Sequence, residues 1–287
     1  MTGIILGTAN ISNEYGLLRE KNNTLDFYNH LIDYAINLGI KRFDTAKGYG
    51  KSEATLGRAL EKKFEIKIDT KINAIDCSNA DEVLDQICDS IATLKISQIE
   101  TLYIHDSSIL RSNKSEFICE SLIQARALGL IKNIGISIYT EDELSLIKSR
   151  FMIVNTIQVP ENVCDRRLIN NEILFEMSAN GVEINLRSIF LQGLLTMNSN
   201  DLPNSLNSGY ESVRSLERFS EINGISRVDI CVAYAKSIPW ASNIIVGTNS
   251  IEQLKQVLDS NKKLTRGWEE EIIKLPANLV DPRKWII

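Results

Sequence analysis

Gly3-Ile4-Ile5-Leu6-Gly7, then the stripe Tyr28, Leu31, Ile32, Ala35 and Leu38, then Lys41-Arg42-Phe43-Asp44: the reading of this opening decides the fold. The outer pieces are short apolar runs, the pattern of strands buried on both faces. The middle piece repeats its apolar residues at i, i+3, i+4 and i+7, which is one face of a helix. Thr24 is placed to cap the first turn and Gly39 to end the last. Strand, amphipathic helix and strand make a βαβ unit, which demands a parallel sheet and a right-handed crossover.

The same alternation continues along the chain. Further strand candidates fall at residues 66–71, 102–105, 133–137, 154–159, 183–187 and 243–247, giving eight in all. Eight such units predict closure into a (β/α)8 TIM barrel, an α/β fold in one domain over residues 1–287. A doubly wound sheet is the alternative, but no G-x-G-x-x-G follows the first strand. One interval is too long for a single helix, with roughly 55 residues between Leu186 and Asn243. Residues 197–209 are rich in Asn, Ser and Asp and contain Pro203, so a long loop insertion is expected at about 196–224, followed by one or two helices. Residues 281–285 are expected to pack back onto the barrel.

The bulk numbers narrow the class. The chain has 287 residues, 44% apolar and 24% charged, with a net charge of -5. That balance, without a Lys/Arg run, speaks against a nucleic-acid surface. No apolar stretch is long enough to cross a membrane, and Met1–Gly7 lacks the charged region of a signal peptide. Five cysteines, an odd number without a CxxC pair, read as reduced thiols of a cytoplasmic protein. Neither a metal site nor an oligomeric state is legible.

Sites in such barrels lie at the C-terminal ends of the strands. There the sequence places Asp44, with Tyr49 five residues on, Lys71 and His105, from three adjacent strands. Neighbouring strands run about 4.8 Å apart, so these side chains can meet. Singly, each has a structural reading: Asp44 as a turn cap, Tyr49 packed on a loop, Lys71 in solvent, His105 in a core hydrogen bond. Their convergence favours a site.

The segment Phe43-Asp44-Thr45-Ala46-Lys47-Gly48-Tyr49-Gly50-Lys51-Ser52-Glu53, followed by Leu56-Gly57, resembles the hallmark of the aldo-keto reductase family. So do Leu6-Gly7-Thr8-Ala9, Ile104-His105-Asp106, Gly135-Ile136-Ser137 and Ile245-Val246-Gly247-Thr248. The resemblance implies a catalytic tetrad of Asp44, Tyr49, Lys71 and His105. Carbonyl reduction needs a hydride on carbon and a proton on oxygen. A free phenol, with a pKa near 10, is a weak acid for this, and a nearby ammonium would lower that pKa. Lys71 is expected to do so, with Asp44 fixing the lysine and His105 orienting the carbonyl. No side chain supplies a hydride, so a cofactor must.

The resemblance also implies where that cofactor sits. Ser137 and Gln158 would hold the nicotinamide carboxamide, although Ile138 stands where relatives carry Asn. Arg187 stands where many carry a stacking Tyr, and a planar guanidinium can also stack on a ring. Gly7 and Thr8 open the site, and Ser188, Phe190, Gln192, Gly193 and Leu194 match the loop over the pyrophosphate. Gly247, Thr248, Asn249 and Gln253 match the loop after the last strand, but without the cations that pair a 2′-phosphate. NADPH is expected on family grounds, with NADH possible. The substrate is expected to be a small carbonyl compound, sugar-like or otherwise polar. Two other functions compete: a Lys71 Schiff-base, aldolase-like enzyme, and a nicotinamide-binding sensor or scaffold without turnover.

Overall fold

The computed structural model describes residues 2–12, 16–17, 24–61, 63 and 65–285; Met1, the first residue of the N-terminal segment read above, lies outside them. Eight parallel strands close into a barrel in sequence order. They are β1 (Gly3–Gly7), β2 (Arg42–Asp44), β3 (Lys67–Ile72), β4 (Ile99–Ile104), β5 (Ile131–Ser137), β6 (Thr156–Pro160), β7 (Glu183–Arg187) and β8 (Asn243–Gly247). The ring closes through β1 against β8, with Gly3 opposite Asn243 and Gly7 opposite Gly247. Around it run α1 (Leu25–Asn37), α2 (Ser52–Ala59), α3 (Ala80–Leu94), α4 (Ser115–Ala127), α5 (Glu141–Arg150), α6 (Glu172–Ala179), α7 (Tyr210–Asn223), α8 (Arg227–Ser237), α9 (Ile251–Asp259) and the short α10 (Trp268–Glu271).

The opening unit folds as its pattern dictates. Tyr28, Leu31, Ile32 and Ala35 are the buried face of α1, and Thr24 accepts a hydrogen bond from the Phe27 amide. Gly39 turns the chain at φ +90°, a left-handed conformation open to glycine at little cost. Inside the barrel, Gly135 of β5 leaves room for the buried Tyr103 ring, which a Cβ there would strike. The N-terminal end of the barrel is filled by a polar layer. Arg42 pairs with Asp69 at 2.8 Å and with Glu183 at 2.7 Å, and Asn185 donates to the Tyr103 hydroxyl at 3.0 Å.

The stretch 196–224 differs from the loop expected there. Two short 3-10 turns, Ser199–Asp201 and Asn204–Gly209, carry the chain to its second half, which is helix α7. Val213, Leu216 and Phe219 on one face of α7 are buried, and that burial makes the segment helical. Residues 281–285 do return to the barrel, with Trp285 donating its indole N–H to Leu279 and Pro282 reaching the cavity described next. Among the described residues, no helix is long and apolar enough to cross a membrane.

Candidate active site

The C-terminal ends of the strands surround a cavity of about 570 Å³, and Asp44, Tyr49, Lys71 and His105 all line it. Each is placed by backbone pairing. Asp44 ends β2, and its carbonyl accepts from the Thr8 amide at 2.9 Å and the Thr8 hydroxyl at 3.0 Å. Lys71 lies in β3, with its backbone opposite Tyr103 of β4. His105 follows β4, its amide bonded to the Ile72 carbonyl at 3.0 Å. Tyr49 sits in a turn tied by its own amide to the Ala46 carbonyl at 2.9 Å.

The side chains then close on one another. Lys71 Nζ donates to Asp44 Oδ2 at 2.5 Å and to the Thr45 carbonyl at 2.9 Å. Both partners of this ion pair are buried, at 2% and 6% side-chain exposure, so neither charge has water to fall back on. Gln158 Nε2 donates to the other Asp44 oxygen at 2.6 Å. The Lys71 ammonium lies 5.2 Å from the centre of the Tyr49 ring. Tyr49 and His105 meet edge to face, with centroids 5.7 Å apart.

Burial sets the charge states. It lowers the His105 pKa to about 4, with Lys71 and Arg187 adding to the effect, so the imidazole is neutral at physiological pH. Burial also holds the Tyr49 phenol above its ordinary value, and Asp44 raises it further. The Arg187 guanidinium pulls it down.

The residues expected at a cofactor are mostly brought to the same cavity. Gly7, Ser137, Gln158 and Arg187 line it at strand ends. Ser188, Phe190, Gln192 and Gly193 line it from the loop after β7. Gly247, Thr248, Asn249 and Gln253 do so from the last strand and the start of α9. Thr8 and Leu194 are not on the wall. Thr8 spends its hydroxyl on the Asp44 carbonyl and on Ser52, and Leu194 is a fully buried core residue. Arg187 is held by Ser137 Oγ at 3.2 Å and by the Ile138 carbonyl at 2.8 Å, so the backbone of Ile138 is in use although its side chain is apolar.

Among the wall residues that were not anticipated are Tyr139, two positions beyond Ser137, and Arg283 from the C-terminal segment. Tyr139 follows a strand end, the position rule that singled out Asp44 and His105, and the same rule applied here would have found it. Nothing local in sequence links Arg283 to the barrel mouth. Among the described residues, no group of three or more His, Cys, Asp or Glu could hold a metal ion. The five cysteines are all free.

A closed parallel barrel with a buried Lys–Asp pair, a phenol and a neutral imidazole at its C-terminal mouth defines a barrel oxidoreductase. The chain belongs to the aldo/keto reductase family, whose model matches residues 3–269. D-arabinose 1-dehydrogenase of Saccharomyces cerevisiae is 26% identical over 262 residues, covering 80% of this chain and 75% of that protein. Methylglyoxal reductase DkgB of Yersinia pestis is 29% identical over 160 residues, which is 53% of this chain and 58% of that enzyme. The crystal structure of a thermostable aldo-keto reductase bound to the inhibitor epalrestat has the same fold, with a TM-score of 0.72 at 21% identity over 95% of this chain and 93% of that one.

Proposed function

We propose that this protein reduces an aldehyde or ketone to an alcohol, with Tyr49 as the proton donor and NADPH, or NADH, as the cofactor. The observation that carries the reading is the convergence of Tyr49, His105 and the Lys71–Asp44 pair on one cavity. Neutral His105 donates one N–H to the carbonyl oxygen and fixes its position beside the phenol. Tyr49 stays protonated until charge develops on that oxygen, then delivers its proton to the forming alkoxide. Lys71 and Asp44 hold the positive and negative charge behind the phenol at fixed positions, so no solvent need reorganise as the proton moves.

The cavity fits a nicotinamide cofactor, which would supply the hydride. Gln158 Oε1 and Thr248 Oγ1 are buried and lack a hydrogen-bond partner, and both residues line the wall. An amide donor such as the carboxamide would satisfy Gln158. Ser188, Leu191 and Gln192 hold left-handed backbone conformations at φ +62°, +47° and +56°. Each costs on the order of 1–3 kcal/mol, and such strain gathers where a loop is shaped around a ligand. The Schiff-base alternative is disfavoured because Lys71 is engaged as a cation by Asp44.

The names of the relatives put pentoses and methylglyoxal in the first assay panel. Cofactor oxidation by wild-type protein with such carbonyl compounds tests the proposal. Cofactor binding without oxidation across the panel would favour the sensor reading instead.

A further inference from the structure

One side of the cavity is built from two arginines and a tyrosine. Arg187 Cζ lies 3.9 Å from the centre of the Tyr139 ring, and Arg283 Cζ lies 3.3 Å from the same centre. Arg187 ends β7, whereas Arg283 comes from the turn Pro282–Lys284, so the wall is assembled from distant parts of the chain. Arg283 is fixed by Asp281, which accepts from its Nε at 2.9 Å and its Nη2 at 2.8 Å.

Arg187 is held differently. Its hydrogen bonds go to Ser137 Oγ, the Ile138 carbonyl and Ser188 Oγ, all neutral. Its ion-pair partner is missing: the pairs among the described residues place Asp44 on Lys71 and Asp281 on Arg283, and none includes Arg187. With His105 neutral, the described residues of the cavity therefore carry one uncompensated positive charge, in a chain whose net charge is -5. A half-buried guanidinium without a counter-ion is unfavourable until an anion reaches it. A guanidinium has five N–H donors in a planar fork, so both arginines keep donors free for a bidentate acceptor.

We infer that Arg187 and Arg283, stacked on Tyr139, form an anion-recognition wall, and that the substrate is a carbonyl compound bearing a carboxylate or phosphate group. This rests on the carbonyl-reduction reading. Arg187 lines the same cavity as Tyr49 and His105, so the anionic group and the reacting carbonyl belong to one small molecule, as in a short-chain oxo acid or a phosphorylated short sugar. In the reaction the carbonyl carbon gains the cofactor hydride, the oxygen gains the Tyr49 proton, and the anionic group is unchanged.

The test compares matched substrates with NADPH present: succinic semialdehyde against butyraldehyde, and glyceraldehyde 3-phosphate against glyceraldehyde. The wild-type enzyme should prefer the anionic member of at least one pair by about tenfold or more in kcat/KM, the scale of one charge-assisted hydrogen bond. Whichever pair responds separates carboxylate from phosphate. The anionic-to-neutral ratio should fall by about tenfold in Arg283→Gln, recover in part in Arg283→Lys, and shrink as salt is raised. Equal kcat/KM within both pairs, or a ratio untouched in Arg283→Gln, would overturn the inference. Titration of NADPH-loaded protein with succinate and with glycerol 3-phosphate separates the two readings. Reduction of neutral aldehydes without anion binding removes the anion wall and leaves the reductase. Anion binding without reduction of any aldehyde removes the reductase, and the substrate assignment with it.

Discussion

Gln158 gives its amide N–H to Asp44 at 2.6 Å, and its carbonyl oxygen is left buried without a donor. One side chain thus ties the buried Lys71–Asp44 pair to the position expected for the carboxamide. Gln158→Met should weaken NADPH binding by about 2- to 10-fold, the value of one neutral hydrogen bond. A fluorescence titration checks this, and an unchanged Kd would separate Gln158 from the cofactor.

Lys71→Met removes one half of a buried ion pair. Asp44 is then a buried carboxylate with no cation, which costs about 3–5 kcal/mol of stability. It also leaves that negative charge beside Tyr49, where it makes proton release harder. Urea denaturation and turnover should therefore both suffer. The double variant Lys71→Met/Asp44→Asn should regain stability but not activity, which separates the structural role of the pair from its chemical one. A Lys71→Met protein as stable and active as wild type would contradict the account.

The His105 imidazole should titrate near pH 4 in an NMR experiment, well below the ordinary 6.5. Because the folded pKa is the lower one, the unfolded chain takes up the proton first as the pH falls. The contribution of this group to stability is complete above about pH 6.5 and is lost as the pH drops toward 4. An imidazole titrating at 6.5 in the folded protein would mean that it is solvated and not fixed against Tyr49.

The start of α9 bears on cofactor choice. Gln253 accepts from the Asn249 amide at 2.8 Å, and among the described residues the cations on the cavity wall are Lys71, Arg187 and Arg283, none of them in α9. Discrimination for NADPH over NADH should thus be weak. Gln253→Arg should raise the NADPH-to-NADH ratio of kcat/KM by about 10- to 150-fold, the value of a charge-assisted pair. A wild-type preference above about 1000-fold would mean that another group binds the 2′-phosphate.

The barrel was legible because its strands are short apolar runs and its first helix carries both a clean stripe and its caps. Residues 210–223 were harder to read. The apolar face there is only Val213, Leu216 and Phe219, with Glu211, Arg214, Arg218 and Glu221 on the opposite side. Asp44, Lys71 and His105 were legible because strand ends are predictable positions, and Tyr49 because of the motif around it. Arg283 was not, since its place beside Tyr139 depends on how the chain end returns across the barrel. The elevated proton affinity of Tyr49 was equally out of reach, because its burial and its nearness to Asp44 exist only in the folded protein.

Tyr49→Phe tests the central claim most directly, because it removes one oxygen and leaves the ring against His105. Turnover of a carbonyl substrate and NADPH affinity are measured on the same preparation. The account predicts a loss of about 10²- to 10⁴-fold in kcat with cofactor affinity nearly unchanged. Retention of more than about a tenth of wild-type kcat would contradict it, because a general acid contributes at least about 100-fold.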